Sequence, residues 1–241
     1  MLFRSCVIVV ASPRPRVGKT LLSRLLTDFH FQEGRSVAAF DLNAGKDALA
    51  AFLPERVIQS AIDGLKGQMA LFDRLIADDG ITTKIVDIGH ASFESFFMLA
   101  HRFGFAGEAR SRRIGFAILY LLTPDPSSVE AYRSLRSQFP EVVLVPVHNE
   151  NFGVAQHRKR YGLTGIASVI RLPQLAPAVR KYVETPPFSF TDPRLAALDM
   201  DVDIELQHWL RRIYLEFREL DLRILLTDLK ASIGPLIPTA P

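Results

Sequence analysis

The chain has 241 residues, of which 48% are hydrophobic and 23% charged, with 29 basic against 26 acidic side chains. That length suits one large α/β domain or two small ones, and the balance is that of an ordinary globular protein. The single cysteine, Cys6, excludes an internal disulfide and fits a reducing cytoplasm. The net charge of +3 permits an anionic partner without demanding one.

Taken in chain order, short apolar runs alternate with helical patterns. That alternation predicts an α/β fold, a mainly parallel sheet with helices on both faces. The N-terminal apolar stretch carries no signal-peptide cleavage pattern, and Cys6 to Ala11 reads as a buried first strand. Leu21, Leu22, Leu25, Leu26 and Phe29 recur at helical spacing, which starts a helix near Gly18. Ser36 to Asp41 reads as a second strand, Ile58 to Ala77 as a helix, and Thr83 to Asp87 as a strand. Phe93 to Phe103 reads as a helix and Ile114 to Leu122 as a central strand. That strand is the longest apolar run, far short of the roughly 20 residues that span a bilayer. Pro126 and Ser127 open another helix, which Pro140 stops. Val142 to Val147 and Ile166 to Arg171 follow as strands, and Asp203 to Ala231 as one long helix. The run Thr185-Pro-Pro-Phe-Ser-Phe reads as a linker, dividing a domain over residues 1–190 from a helical extension over 191–241.

The stretch "CVIVVASPRPRVGKTLLSRLL" has the layout strand, loop, helix, and its Val-Gly-Lys-Thr ends a phosphate-binding loop. Gly18 lets backbone pass close to phosphate, and the helix start offers free N–H groups with the positive end of the dipole. Lys19 would reach the β- and γ-phosphates, and the Thr20 hydroxyl would ligate Mg²⁺. The motif's first glycine is replaced by Pro13, and Pro15 is a second residue without an N–H. Arg16 is expected at positive φ, which costs a non-glycine residue about 1–2 kcal/mol. Arg14 and Arg16 add charged donors that offset these losses. Asp41 and Asp87 each end an apolar strand, the place where a P-loop protein holds Mg²⁺.

These residues resemble the MinD/ParA group of P-loop ATPases, whose loop reads K-G-G-V-G-K-T where this chain reads Arg14-Pro15-Arg16-Val17-Gly18-Lys19-Thr20. The resemblance runs from Leu2 to Phe190 and rests on the order of motifs. It implies ATP or ADP with Mg²⁺, held by the backbone of Arg16, Val17, Gly18, Lys19, Thr20 and Leu21. It implies Thr20, Asp41 and Asp87 near the metal, with Lys19, Arg14 and Asp41 in the catalytic set. Arg14 takes the place of the lysine that reaches a second copy's nucleotide, so a homodimer follows. Asn149 takes the place of the asparagine that reads the base, and Pro173 lies where the last adenine contacts fall. The family's water-positioning acid falls on Asn43, and an amide cannot accept a proton as a carboxylate can, so hydrolysis is expected to be slow or absent. A scaffold that has lost nucleotide binding is the alternative. The dethiobiotin synthetases share Val-Gly-Lys-Thr, but their acidic loop residue falls on Arg14.

The C-terminal helix carries Leu206, Leu210, Ile213, Phe217, Leu220 and Ile224 at alternating steps of four and three, with further apolar residues widening the face. Docking on the domain and a dimer or partner surface over residues 203–231 are both open. Its Glu and Asp residues disfavour a membrane. Two basic clusters, Gln156 to Gly162 and Arg110, Arg112 and Arg113, read as solvated surface or as non-specific DNA binding. The six histidines show no metal-ligand spacing.

Overall fold

The computed structural model describes residues 5–43, 48–152, 160–163, 169–192, 195 and 198–233. The strands are β1 (Cys6–Ala11), β2 (Val37–Asp41), β3 (Val57–Gln59), β4 (Thr83–Asp87), β5 (Gly115–Leu121), β6 (Val143–Asn149) and β7 (Ile170–Leu172). They form one seven-stranded sheet in the order β3-β2-β4-β1-β5-β6-β7. Every pairing is parallel. Parallel strands need crossovers, and helices supply them: α1 (Lys19–Gln32), α2 (Leu49–Phe52), α3 (Leu65–Ile76), α4 (Phe93–Arg102), α5 (Phe105–Ser111) and α6 (Pro126–Gln138), while α7 (Pro177–Val183) and α8 (Met200–Ile233) follow the last strand.

The alternation of side chains along β1 divides the core in two. Cys6, Ile8 and Val10 face a cluster built with α1, α7 and α8. Val7, Val9 and Ala11 face a second cluster built with α3 to α6, rich in phenylalanine contacts, with Phe72 stacked on Phe96 and edge-on to Phe105. Both faces of the sheet are therefore covered, as its continuous apolar strands require.

The long helix α8 docks on the domain. Leu206, Trp209, Leu210, Ile213, Phe217, Leu220 and Ile224 are buried in the first cluster. Each buried leucine or phenylalanine contributes about 1.5–3 kcal/mol. The opposite side of α8 stays exposed at Ile204, Leu215, Leu222 and Leu226, which is why the sequence looks apolar beyond one stripe.

Three expectations change. The single helix expected over Ile58 to Ala77 is the edge strand β3 followed by α3, because Gly64 begins the helix and Val57–Gln59 pairs with β2. The strand expected at Ile166 to Arg171 is described only as β7, residues 164–168 lying outside the described part. The expected linker is a strap whose exposed Thr185, Pro186 and Pro187 lead into the buried Phe188 and Phe190. Arg24 Nη1 and Nη2 donate to the Val183 and Phe188 carbonyls at 2.8 and 3.2 Å. Asp28 accepts from the Phe190 N–H at 2.6 Å and from Ser189 Oγ and Arg56 Nη1 at 3.0 Å. Arg24 also stacks 3.9 Å over the Phe52 ring. Two charges one turn apart on α1 thus satisfy the polar backbone of a segment whose phenylalanines enter the core.

Candidate functional site

The site lies at the C-terminal ends of β1, β2 and β4, where parallel α/β sheets bind ligands. After β1 the chain makes a stiff turn, since Pro13 and Pro15 fix φ on either side of Arg14. Arg16 then adopts φ 58° and Gly18 φ 96°. The positive φ expected at Arg16 is present, a strained conformation of the kind that persists where the backbone must present its N–H groups. No acceptor among the described residues takes the N–H groups of Arg16 to Leu21, since the first helical bond into this turn is Leu22 N–H to Gly18 O at 3.0 Å. A row of free donors at a helix start is an anion cradle.

Lys19 is buried, and its Nζ donates to the Arg14 carbonyl at 2.6 Å. Burial lowers the lysine's pKa, against the opposing pull of Asp87. Thr20 Oγ1 donates to Asp87 Oδ2 at 2.8 Å. Asp87 is fully buried, and its other oxygen, Oδ1, has no hydrogen-bond partner. Burial pushes the Asp87 carboxyl up to about 7, helped by neighbouring Asp41 and opposed by Thr20, Lys19 and the nearby Ser23 hydroxyl. A buried, half-satisfied carboxylate beside a threonine hydroxyl is chemically suited to a hard divalent cation. Among the described residues no three His, Cys, Asp or Glu side chains cluster as a protein-only metal cage. A cation here would rest on Thr20 and Asp87 and on the oxygens of its anionic ligand.

Asp41 stands opposite Asp87 in the β2–β4 register. Its oxygens are already taken: Oδ1 accepts from the Asn43 N–H and Nδ2, and Oδ2 from the Ala50 N–H, all at 2.9 Å. It therefore fixes the turn after β2 and the start of α2. Asn43 Nδ2 also donates to Asp87 Oδ2 at 3.1 Å. The amide that replaces an expected acid spans both carboxylates.

Arg14 stays within its own chain. Its guanidinium pairs with Asp125 and donates to Ser127 Oγ at 2.9 Å, at the start of α6. That platform is held from below: Tyr120 and Tyr161 both bond to Ser128, and Tyr161 also bonds to the Thr123 carbonyl. Asn149 ends β6 against the loop, where its Nδ2 donates to the Val17 carbonyl at 3.0 Å. A Cβ on Gly18 would lie 2.7 Å from that nitrogen, so only glycine fits there. The Pro173 carbonyl accepts from Trp209 Nε1 of α8 at 2.9 Å. The resemblance implied base contacts at Asn149 and Pro173; the structure puts Asn149 Nδ2 on the Val17 carbonyl and the Pro173 carbonyl on Trp209. Sequence reasoning missed the roles of Asp125 and Ser127, whose only signal is an α6 opening of Asp-Pro-Ser, and the bond from Trp209 of α8 to Pro173.

The basic clusters are less open than their composition suggests. Arg110 pairs with Glu141 at 2.8 Å and Arg112 with Glu108 at 2.6 Å. Most of the cluster over residues 156–162 lies outside the described residues. Among the described residues, no helix is long and apolar enough to cross a membrane.

The sequence matches no family model and no curated protein. Solved structures are similar. The structure of pnob8 ParA shares 11% identity at a TM-score of 0.58, covering 93% of this chain and 99% of that one. The septum site-determining protein MinD of Pyrococcus horikoshii OT3, solved with Mg-ADP, shares 12% at 0.55, covering 91% and 98%. The MinD cell division protein of Aquifex aeolicus shares 14% at 0.52, covering 86% and 96%. The strand order, the all-parallel sheet and these likenesses agree: the chain has the fold of the MinD/ParA P-loop ATPases.

Proposed function

We propose that this protein is a cytoplasmic nucleotide-binding switch that takes ATP or ADP with Mg²⁺, dimerises with nucleotide and hydrolyses it weakly or not at all. The observation that carries this reading is the row of unpartnered N–H groups from Arg16 to Leu21, beside Lys19 and the unsatisfied Asp87 oxygen. The N–H row and Lys19 would hold phosphate oxygens. Thr20 and Asp87 would hold the metal, which supplies charge neutralisation when bound. Arg14 would serve a second copy, after leaving Asp125 and Ser127. Asn43 supports weak hydrolysis, because its amide donates to two acids and cannot take a proton from water.

Calorimetry with Mg·ATP and Mg·ADP tests the reading, with Lys19→Ala as control. Binding that disappears in the variant supports it. No binding at millimolar nucleotide overturns it in favour of a scaffold that keeps only the fold, a reading favoured by the missing N–H groups of Pro13 and Pro15. Turnover comparable to an ordinary ATPase, lost in Lys19→Ala, would remove the weak-hydrolysis part.

A further inference from the structure

We infer that Ser23, near the start of α1, is a positioning residue for the cation: its hydroxyl steadies the second oxygen of Asp87 when Mg²⁺ is bound with nucleotide. The inference rests on the nucleotide-binding reading and adds a residue to the same site.

Thr20 and Ser23 are three residues apart on α1, so they share the face that packs on β4. Asp87 ends that strand. The side chains that donate to its carboxyl both go to one oxygen: Thr20 Oγ1 and Asn43 Nδ2 bond to Oδ2 at 2.8 and 3.1 Å. Oδ1 has no partner, and neither has the hydroxyl of Ser23, which is fully buried beside the carboxyl. The helix offers that hydroxyl an alternative. A serine or threonine within a helix can turn its hydroxyl back to the carbonyl one turn earlier, as Thr27 does to the Ser23 carbonyl at 2.8 Å. Ser23 does not. A buried hydroxyl without a partner costs stability, and alanine would remove that cost. What the hydroxyl supplies is a donor next to an unsatisfied carboxylate. A carboxylate oxygen has two lone pairs, so Oδ1 can accept from Ser23 and still face a cation. Groups that orient a metal's ligands matter to the metal: losing one weakens its binding about 10–100-fold. Thr20 and Asn43 are committed to Oδ2, and Ser23 is the hydroxyl placed to steady Oδ1.

The test is a Mg²⁺ titration of the full chain with ATP held fixed, followed by calorimetry, in wild type, Ser23→Ala and Ser23→Cys. Alanine removes the hydroxyl, and cysteine replaces it with a weak donor. Each variant is expected to raise the Mg²⁺ midpoint about tenfold or more. ATP affinity measured in EDTA is expected to stay at the wild-type value. Without nucleotide or magnesium, Ser23→Ala is expected to melt no lower than wild type. An unchanged midpoint in Ser23→Ala overturns the inference and leaves the nucleotide reading standing. A wild-type midpoint in Ser23→Cys also overturns it, because the residue would then only fill space. So does a lower melting temperature in Ser23→Ala, or an equal loss of ATP affinity with EDTA and with Mg²⁺, since either marks a structural role. Absence of Mg·ATP binding by the wild-type chain overturns both the inference and the reading beneath it.

Discussion

Asp41 and Asp87 end neighbouring parallel strands in register, and one amide nitrogen, Asn43 Nδ2, donates to both carboxylates at 2.9 and 3.1 Å. Two acids this close, one of them fully buried, repel unless something positive or donating lies between them. Asn43→Asp removes the donor and adds a third acid. Without added magnesium the variant should be less stable by about 1–3 kcal/mol, and magnesium should restore part of the loss. Thermal melts with and without Mg²⁺ check this. Phosphate release should rise above the wild-type rate. A variant as stable as wild type without magnesium would mean that Asn43 does not hold the acidic pair.

The Thr20–Asp87 pair leads to a second prediction. Burial raises the Asp87 carboxyl to about 7, so at pH 8 the folded chain holds a carboxylate whose burial is unfavourable. Asp87→Asn supplies a neutral group of the same shape. At pH 8 the variant should therefore melt no lower than wild type without added ligand. Its Mg·ATP affinity should fall about tenfold or more, as when a metal's surroundings are stripped of a carboxylate. Calorimetry read beside the melting curve separates the two effects. A variant that unfolds at pH 8 would show that the carboxylate is structural.

The strap over Thr185–Phe190 carries a third. Asp28 faces Arg56 directly at 3.0 Å and lies one turn from the buried Arg24. Desolvation raises its own pKa, against the bonds from Phe190 and Ser189. Asp28→Ala leaves the buried Arg24 without its balancing charge and the Phe190 N–H without an acceptor. Removing one partner of such a buried network costs about 3–5 kcal/mol. Proteolysis should then cut first within residues 185–190, and the variant's guanidinium midpoint should drop. An unchanged midpoint would place the strength of the strap in its phenylalanines alone.

Much of this was readable in the chain. The apolar runs of β1, β4 and β5 are buried on both faces and that of β6 in large part, so composition alone marked them. Val-Gly-Lys-Thr after β1 marked the loop, and Asp41 and Asp87 marked the strand ends beside it. Elements held mainly by tertiary contact were not readable. β3 is a short edge strand whose pattern merges with α3, and α2 and α7 are too short for helical periodicity to show. The strap looked like a linker because Thr185-Pro-Pro is turn chemistry, although Phe188 and Phe190 were the sign of burial. The engagement of Asn149 with Val17 and of Pro173 with Trp209 depends on partners 132 and 36 residues away, and no local pattern encodes them.

The fourth prediction concerns acid. His30 lies in the last turn of α1, buried, with its ring edge-on to Phe29 at 5.0 Å. Nδ1 meets Arg35 Nη1 at 2.9 Å, which makes Nδ1 the acceptor, and Nε2 has no partner. Burial first, and the Arg35 charge second, hold its pKa down to about 3. The folded chain thus keeps the ring neutral where the unfolded chain, near pH 6.5, would protonate it. Protons then bind the unfolded state preferentially, so stability is present above the unfolded value and lost as the pH falls towards 3. The slope from one such group is about 1.4 kcal/mol per pH unit. Arg35 also bonds to Asp221 of α8 at 2.6 Å, so acid should loosen the docking of that helix as well. His30→Gln keeps an acceptor for Arg35 but cannot titrate in this range. Urea midpoints measured from pH 7 to pH 4 should fall steeply for wild type and by about 1.4 kcal/mol per unit less for the variant. Parallel curves would show that His30 is protonated in the folded chain and that its acid response lies elsewhere.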